Sequence, residues 1–272
     1  MPRGPGSWFD GWIGSTAEIG AWAEIEQDLY LFLRVHIFGG RRETIAMATT
    51  DITYTTRNGE EFTGILAAQE GDGKLPGILF ITAIWGIDES ATEITEAWAD
   101  DGFIVSVPDI FWRQHPGPTT DRDVAQARYH AYDFEQGLLD LQDLIGHLRT
   151  HPRCNGKLAV FGICFGGRYA HLAAARYGID AAASYHGTYI ERHLDETHKI
   201  TCPVSFHFGE DDPVIPMDQV KAIQDSYASH QNAEIIVHEN AGHNFSMPHK
   251  DTYDPAVAKT SRDAVLKCFR SM

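Results

Sequence analysis

Val160-Phe161-Gly162-Ile163-Cys164-Phe165-Gly166-Gly167-Arg168 is the stretch on which the reading of this chain turns. It joins two patterns. Lys157 to Phe161 is a short apolar run of strand type, and Gly166 to Tyr177 is a helical segment that Gly178 stops. Between them a cysteine is flanked by glycines two places before and two places after. A side chain lifted out of a sheet on a tight strand-to-helix turn needs small residues at those places, because strand and helix crowd the turn. The following helix points its N-terminus at the sulfur, which favours a thiolate and a developing oxyanion alike. The N–H of Phe165 is placed to donate to that oxyanion. Taken alone, the stretch fits a buried structural cysteine beside a helix-packing glycine pair equally well.

Outward from it, strands alternate with helices. Ile52 to Thr56 and Phe62 to Leu66 read as strands joined at Asn58-Gly59. Gly77 to Thr82 and Phe103 to Val107 are apolar runs typical of strands buried on both faces. Asp88 to Asp101 has helical spacing, and residues 122 to 150 read as one amphipathic helix carrying Phe134, Leu138, Leu141, Ile145 and Leu148. Ala181 to Tyr185, Val204 to Phe208 and Glu234 to His238 follow as strands, with helices over Asp218 to Ser229 and Pro255 to Phe269. The alternation predicts an α/β fold in one domain, with a mostly parallel, doubly wound sheet flanked by helices.

Two later segments weigh on Cys164. Val204 to Phe208 runs into Gly209-Glu210-Asp211-Asp212-Pro213, an acidic loop at a strand end, and Asn240-Ala241-Gly242-His243-Asn244-Phe245 follows the last strand. Nucleophile, acid, then histidine is the chain order of a triad on this kind of sheet. Asp212 is the expected acid, with Asp211 its close competitor. His243 is the expected base, which Asp212 would orient. His186 and His207 sit at strand ends and could line the same pocket, as could Trp85, Phe111, Trp112, Tyr129, Tyr185 and Phe245. Core packing is the commoner role for each aromatic.

Composition narrows the function further. The 272 residues carry 22 basic and 38 acidic side chains, a net charge of −16. That argues against a nucleic acid or an anionic membrane as partner. The four cysteines form no Cys-x-x-Cys pair and the fourteen histidines no His-Glu-x-x-His, so neither a disulfide framework nor a metal site is expected, and no cofactor. Without a visible secretory signal or bilayer-length apolar run, the default location is the cytoplasm. Residues 1–46 lack the strand-helix alternation. They read either as an extension, disordered or lying upstream of a start at Met47, or as an amphipathic cover over Ile19 to Phe38. Residues 47–272 are the catalytic domain.

With these residues in view, the chain resembles the dienelactone hydrolase family (carboxymethylenebutenolidase-like) of α/β-hydrolases. The landmarks are Ile84-Trp85-Gly86, Pro108-Asp109-Ile110-Phe111-Trp112-Arg113, Tyr132-Asp133-Phe134-Glu135, Asn155-Gly156-Lys157, the cysteine elbow, Asp212 to Pro216 and Ala241 to Phe245. The resemblance implies a metal-independent hydrolase of lactones or esters, with Ile84 N–H as second oxyanion donor and Arg113 binding a substrate carboxylate. Two departures stand out. The family has a glutamate touching the resting cysteine where this chain has Ala83, and a second arginine where it has Met247. A site short of one negative and one positive charge is expected to accept neutral aryl esters, and phosphotriesters as a side reaction, beside dienelactone-like substrates. Ala83, Trp85, Tyr185 and Met247 are then candidate substrate contacts. The partner is a small molecule and the protein a monomer or homodimer. The rival readings are a non-catalytic ligand-binding scaffold and an acyltransferase using the same cysteine.

Overall fold

Alternation along two strands sets the layers. In β4 (Leu75–Ile81), Leu79 and Ile81 join one apolar cluster while Ile78 and Phe80 join another. In β6 (Cys154–Ile163), Leu158 and Val160 face the first cluster, and Ala159, Phe161 and Ile163 the second. Strands apolar on both faces need helices on both faces. The computed structural model describes residues 30–38 and 41–272. The remaining strands are β1 (Tyr30–Phe38), β2 (Arg41–Thr55), β3 (Glu61–Gln69), β5 (Ile104–Pro108), β7 (Ala181–Tyr185), β8 (Val204–Gly209) and β9 (Ala233–His238). The described residues build one nine-stranded sheet in the order β1-β2-β3-β5-β4-β6-β7-β8-β9. From β5 to β9 every pairing is parallel, while β1, β2 and β3 join antiparallel, as does β3 to β5. The sheet is thus mostly parallel, in a single α/β-hydrolase domain.

Helices α3 (Phe134–Thr150), α4 (Gly167–Arg176) and α5 (Met217–Tyr227) supply Leu141, Leu172 and Val220 to the first cluster. Helices α1 (Glu89–Asp100) and α6 (Pro255–Phe269) supply Trp98 and Phe269 to the second. Trp98, Phe103, Phe161 and Phe269 meet there ring to ring, with centroids 5.4 to 6.4 Å apart. No helix among the described residues is long and apolar enough to cross a membrane.

Two details differ from the sequence expectation. The segment 122–150 is two helices, not one. α2 (Arg122–His130) ends at Ala131, and Asp133 caps α3 by accepting from Gln136 N at 3.1 Å. An aspartate that satisfies a free N–H at a new helix start competes with its own place inside a longer helix. The apolar period survives because all five residues that carry it lie on α3. The second difference concerns the N-terminal extension. The boundary set at residues 46 and 47 falls inside β2, whose first half pairs with β1 from Phe38↔Arg41 to Tyr30↔Thr49. The part of the Ile19 to Phe38 stretch that is described is therefore an edge strand; residues 19–29 lie outside the described residues.

Candidate active site

β4 and β6 are parallel neighbours, with Ile81 paired to Gly162. The chain order reverses beside them, since β5 lies on the far side of β4. A crevice opens past the strand ends at such a point. Cys164 leaves β6 there with φ 51°, in the left-handed region that costs energy for a non-glycine residue. The glycines around it are required by contact. A Cβ on Gly162 would stand 2.1 Å from Gly166 O, and one on Gly166 would stand 2.0 Å from Ile81 O. The turn Cys164–Gly166 then runs into α4, and Thr188 N holds the Cys164 carbonyl at 2.9 Å.

The other two groups arrive from β8 and β9. Asp212 is buried and spends Oδ1 on its own loop, accepting from Val214 N at 2.7 Å and Ile215 N at 3.2 Å. Its Oδ2 is 2.7 Å from His243 Nδ1, and His243 Nε2 is 3.2 Å from Cys164 Sγ. Asp211 is exposed and has no part in this row. Burial pulls the His243 imidazole down, but the charge of Cys164 and the hydrogen bonds to Asp212 and Cys164 outweigh it and lift its pKa to about 10. The arrangement can hold a proton on His243 beside a sulfur anion, and can pass that proton to a leaving group.

Phe165 is buried at the base of the turn against Phe111 and Tyr132, at 5.3 and 4.9 Å between ring centroids. Ile84 lies in the loop after β4, and its N–H donates to no group among the described residues. Trp85 is half-buried, with Lys250 Nζ 4.5 Å above its ring. Ala83 and Met247 are each only 2% exposed and belong to the apolar cluster that Cys164 packs against, so they back the site rather than open onto it. Tyr185 is buried against Phe161 and Phe245. With Trp98 and Ser246 it lines a cavity of about 290 Å³ between α1 and α6 that none of Cys164, Asp212 and His243 lines.

Arg113, expected to bind a substrate carboxylate, is engaged by groups of the chain itself. Its guanidinium pairs with Asp140 and with Glu60 Oε2 at 3.0 Å, and stacks 3.9 Å over Trp112. The charge expected to meet a substrate carboxylate already has two carboxylates of its own. Neither partner is visible from the sequence around Arg113, because Glu60 and Asp140 lie 53 and 27 residues away.

Two residues that sequence reasoning passed over, Arg128 and Arg168, shape the site. Arg128 is 2% exposed, and its guanidinium serves three backbone carbonyls: Ile84 O at 2.9 and 2.5 Å, Gly117 O at 2.7 Å and His115 O at 3.2 Å. It thereby ties down the loop that carries Ile84. On α2 it occupies a position that periodicity alone leaves unremarkable. Arg168 lies against the rings of Phe134 and Phe165, at 4.1 and 4.9 Å, and so clamps the start of α4. His186, which the sequence offered as a strand-end histidine that could line the pocket, is fully buried with its ring centroid 4.5 Å from that of His243. His207 is not part of the row: it bonds His238 Nε2 at 3.0 Å and Ser205 Oγ at 2.9 Å.

The chain is similar to known proteins over most of its length. A carboxymethylenebutenolidase of Pseudomonas putida is 28% identical over 226 residues, 81% of this chain and 95% of the relative. The carboxymethylenebutenolidase 1 of Cupriavidus pinatubonensis is 28% identical over 227 residues, 81% of this chain and 96% of the relative. Among solved structures, a dienelactone hydrolase-like promiscuous phosphotriesterase from metagenomic libraries superposes with a TM-score of 0.71 at 23% identity, covering 83% of this chain and 98% of its own. An esterase of Pyrococcus furiosus gives 0.63 at 13%, covering 82% and 92%. These two share the fold. The model of the dienelactone hydrolase family matches residues 62–272, and with that match the chain belongs to the dienelactone hydrolase family.

Proposed function

We propose that this hydrolase cleaves esters or lactones through Cys164, with His243 as base and Asp212 as its orienting acid. The observation that carries the reading is the unbroken row from Asp212 Oδ2 to His243 at 2.7 Å and from His243 to Cys164 Sγ at 3.2 Å. Asp212 fixes the ring by bonding Nδ1, which leaves Nε2 to exchange a proton with sulfur. The thiolate attacks the carbonyl carbon, and the oxygen that becomes negative is received by the N–H groups of Phe165 and Ile84. The carbon–oxygen bond breaks, the leaving alkoxide takes the proton from His243 Nε2, and a thioester on Cys164 remains. A water then loses a proton to His243 and attacks the thioester. The acid departs and sulfur recovers its proton or its imidazolium partner.

Substrate charge follows from the surroundings. With Arg113 held by Asp140 and Glu60, and Met247 enclosed in the core, neither position expected to hold a carboxylate offers a free cation. A lost charge-assisted contact removes about 1.5–3 kcal/mol of binding for an anion. Neutral activated aryl esters are therefore the favoured substrates over dienelactone. A neutral phosphotriester is a side substrate, a reading helped by the structural neighbour described as a promiscuous phosphotriesterase.

A panel containing a neutral aryl ester, a dienelactone and a phosphotriester, run with a chelator present, tests both parts. Cys164→Ala should fall to within about 10³–10⁴-fold of the uncatalysed rate. Retained turnover would remove the nucleophile assignment. A strong preference for the anionic lactone would remove the substrate assignment alone.

A further inference from the structure

His186 has no place in the hydrolytic cycle, yet its setting is unusual. It closes β7 with φ 38°, a left-handed conformation held by its N–H bond to His207 O at 2.7 Å and by complete burial of the ring. Nε2 rests on Ser246 Oγ at 3.2 Å, while Nδ1 is buried without a hydrogen-bond partner. Burial holds the ring neutral, its pKa well below the ordinary histidine value. One ligand atom each from Cys164, His186 and His243 fall within 4.8 Å of one another.

We propose that Cys164, His186 and His243 form a three-ligand site for a thiophilic divalent cation, Zn²⁺ or Cd²⁺, and that its occupation switches the hydrolase off reversibly. A thiolate and two neutral imidazoles are the donors such ions select, and three protein ligands leave a fourth position for water. The second shell is already in place. A metal-bound histidine ordinarily donates its other ring N–H to a fixed acceptor, and Ser246 Oγ and Asp212 Oδ2 stand ready to accept from His186 and His243. No oxidation is involved. Sulfur and two nitrogens give lone pairs to the cation, and the single proton shared by Cys164 and His243 passes to solvent. Nucleophile and base are then both bound, so hydrolysis stops until a chelator removes the ion.

Of the other three thiols, Cys154 is buried, and Cys202 and Cys268 do not compete well. Burial pushes Cys202 up to about 11 and Cys268 up to about 12, so neither supplies a thiolate at neutral pH. A second set among the described residues, Glu89, Glu93 and His249, is largely exposed and has no sulfur. It serves as the control.

The inhibitory half rests on Cys164 being the nucleophile; the binding half does not, and the experiment separates them. Cd²⁺ is titrated into the whole protein while thiolate-to-cadmium absorption in the ultraviolet is followed, and Zn²⁺ inhibition is measured in parallel on an aryl ester. One equivalent should develop the band. Cys164→Ala should abolish it and His249→Ala should leave it unchanged. His186→Gln should weaken binding by at least roughly tenfold, since losing even an outer-shell partner costs that much. X-ray absorption of the Zn²⁺-bound wild type needs no variant, and should give one sulfur and two imidazole nitrogens. A single nitrogen, or a band that survives Cys164→Ala, overturns the proposal. A band with the expected ligands but no inhibition leaves the metal site standing and rejects the nucleophile instead.

Discussion

Replacing Arg128 should uncouple two chemistries of one sulfur. Arg128 is enclosed on α2 and makes no hydrogen bond to a carboxylate; its donors go to Ile84 O, Gly117 O and His115 O, and its guanidinium lies 4.4 Å over Phe111. Arg128→Met keeps the length and the apolar packing but removes every donor. Each carbonyl left dry costs about 1–3 kcal/mol. Relief of the cation's own burial offsets part of that, so the expected loss of stability is about 3–5 kcal/mol. The catalytic effect is separate. Ile84 O and Ile84 N–H belong to one residue, so releasing the carbonyl frees the N–H proposed as the second oxyanion donor. A lost or misplaced oxyanion donor lowers kcat by about 10²–10³. Alkylation of Cys164 by iodoacetamide needs the thiolate but no oxyanion hole. The variant should therefore be alkylated at nearly the wild-type rate while its kcat on an aryl ester falls at least about a hundredfold, with KM little changed. Arg128→Lys, which can reach some but not all of the carbonyls, should fall between. If alkylation and kcat drop in proportion, Arg128 serves folding alone. If neither drops in a variant that remains folded, the Ile84 loop is held by other contacts and the reasoning fails.

Other outcomes follow from the same geometry. Asp212→Asn should lower kcat by up to about 10⁴, because the ring loses its fixed tautomer; since Asp212 helps lift His243 to about 10, the alkaline fall of the pH–rate profile should move to lower pH in the variant. Acid should destabilise the fold early. Burial depresses His171 to about 4 and His207 to about 3, so the folded state binds fewer protons than the unfolded chain; this stability is complete above pH 6.5 and is lost as pH falls through that window, at about 3 kcal/mol per pH unit for the two together. Urea midpoints at pH 7, 6 and 5 check it, and a flat profile would refute it. Gly166→Ala drives a Cβ to 2.0 Å from Ile81 O, which cannot yield without moving β4; a loss of about 1–3 kcal/mol with impaired ester turnover is expected from denaturant melts and assay.

The parts of this fold that were legible in the sequence are those whose cause is local. The runs at Gly77 to Thr82 and Lys157 to Phe161 are apolar without alternation because both faces of the strand are covered, and that shows in one dimension. The glycines at 162 and 166 announce a close approach that any side chain would block. The break between α2 and α3 was hidden because its signal, the single aspartate at 133, is also an acceptable residue on an exposed helix face. β1 is not legible because the first residues carry no strand-helix alternation to set it in.

Charge is where one dimension misleads most, because an arginine's role depends on what meets it. Arg113 follows a strand end, and by position alone it is a reasonable anion receptor; Glu60, just before β3, and Asp140 on α3 pair with it. Arg128 sits on α2, of which only Ala125 and Arg128 itself are buried, and it is the buried cation of the Ile84 loop. The consequence bears on chemistry. A cation paired directly with carboxylates contributes little field at a reacting oxygen, whereas one whose hydrogen bonds go to peptide carbonyls, with Asp109 and Asp88 further off, keeps more of its charge while aligning those dipoles. On the proposed reading, Arg128 acts through a fixed backbone loop, while Arg113 is not free to grip an anion. Such a site stabilises charge that develops during reaction more than charge a substrate brings with it. That is the condition under which a neutral ester gains most from the transition state.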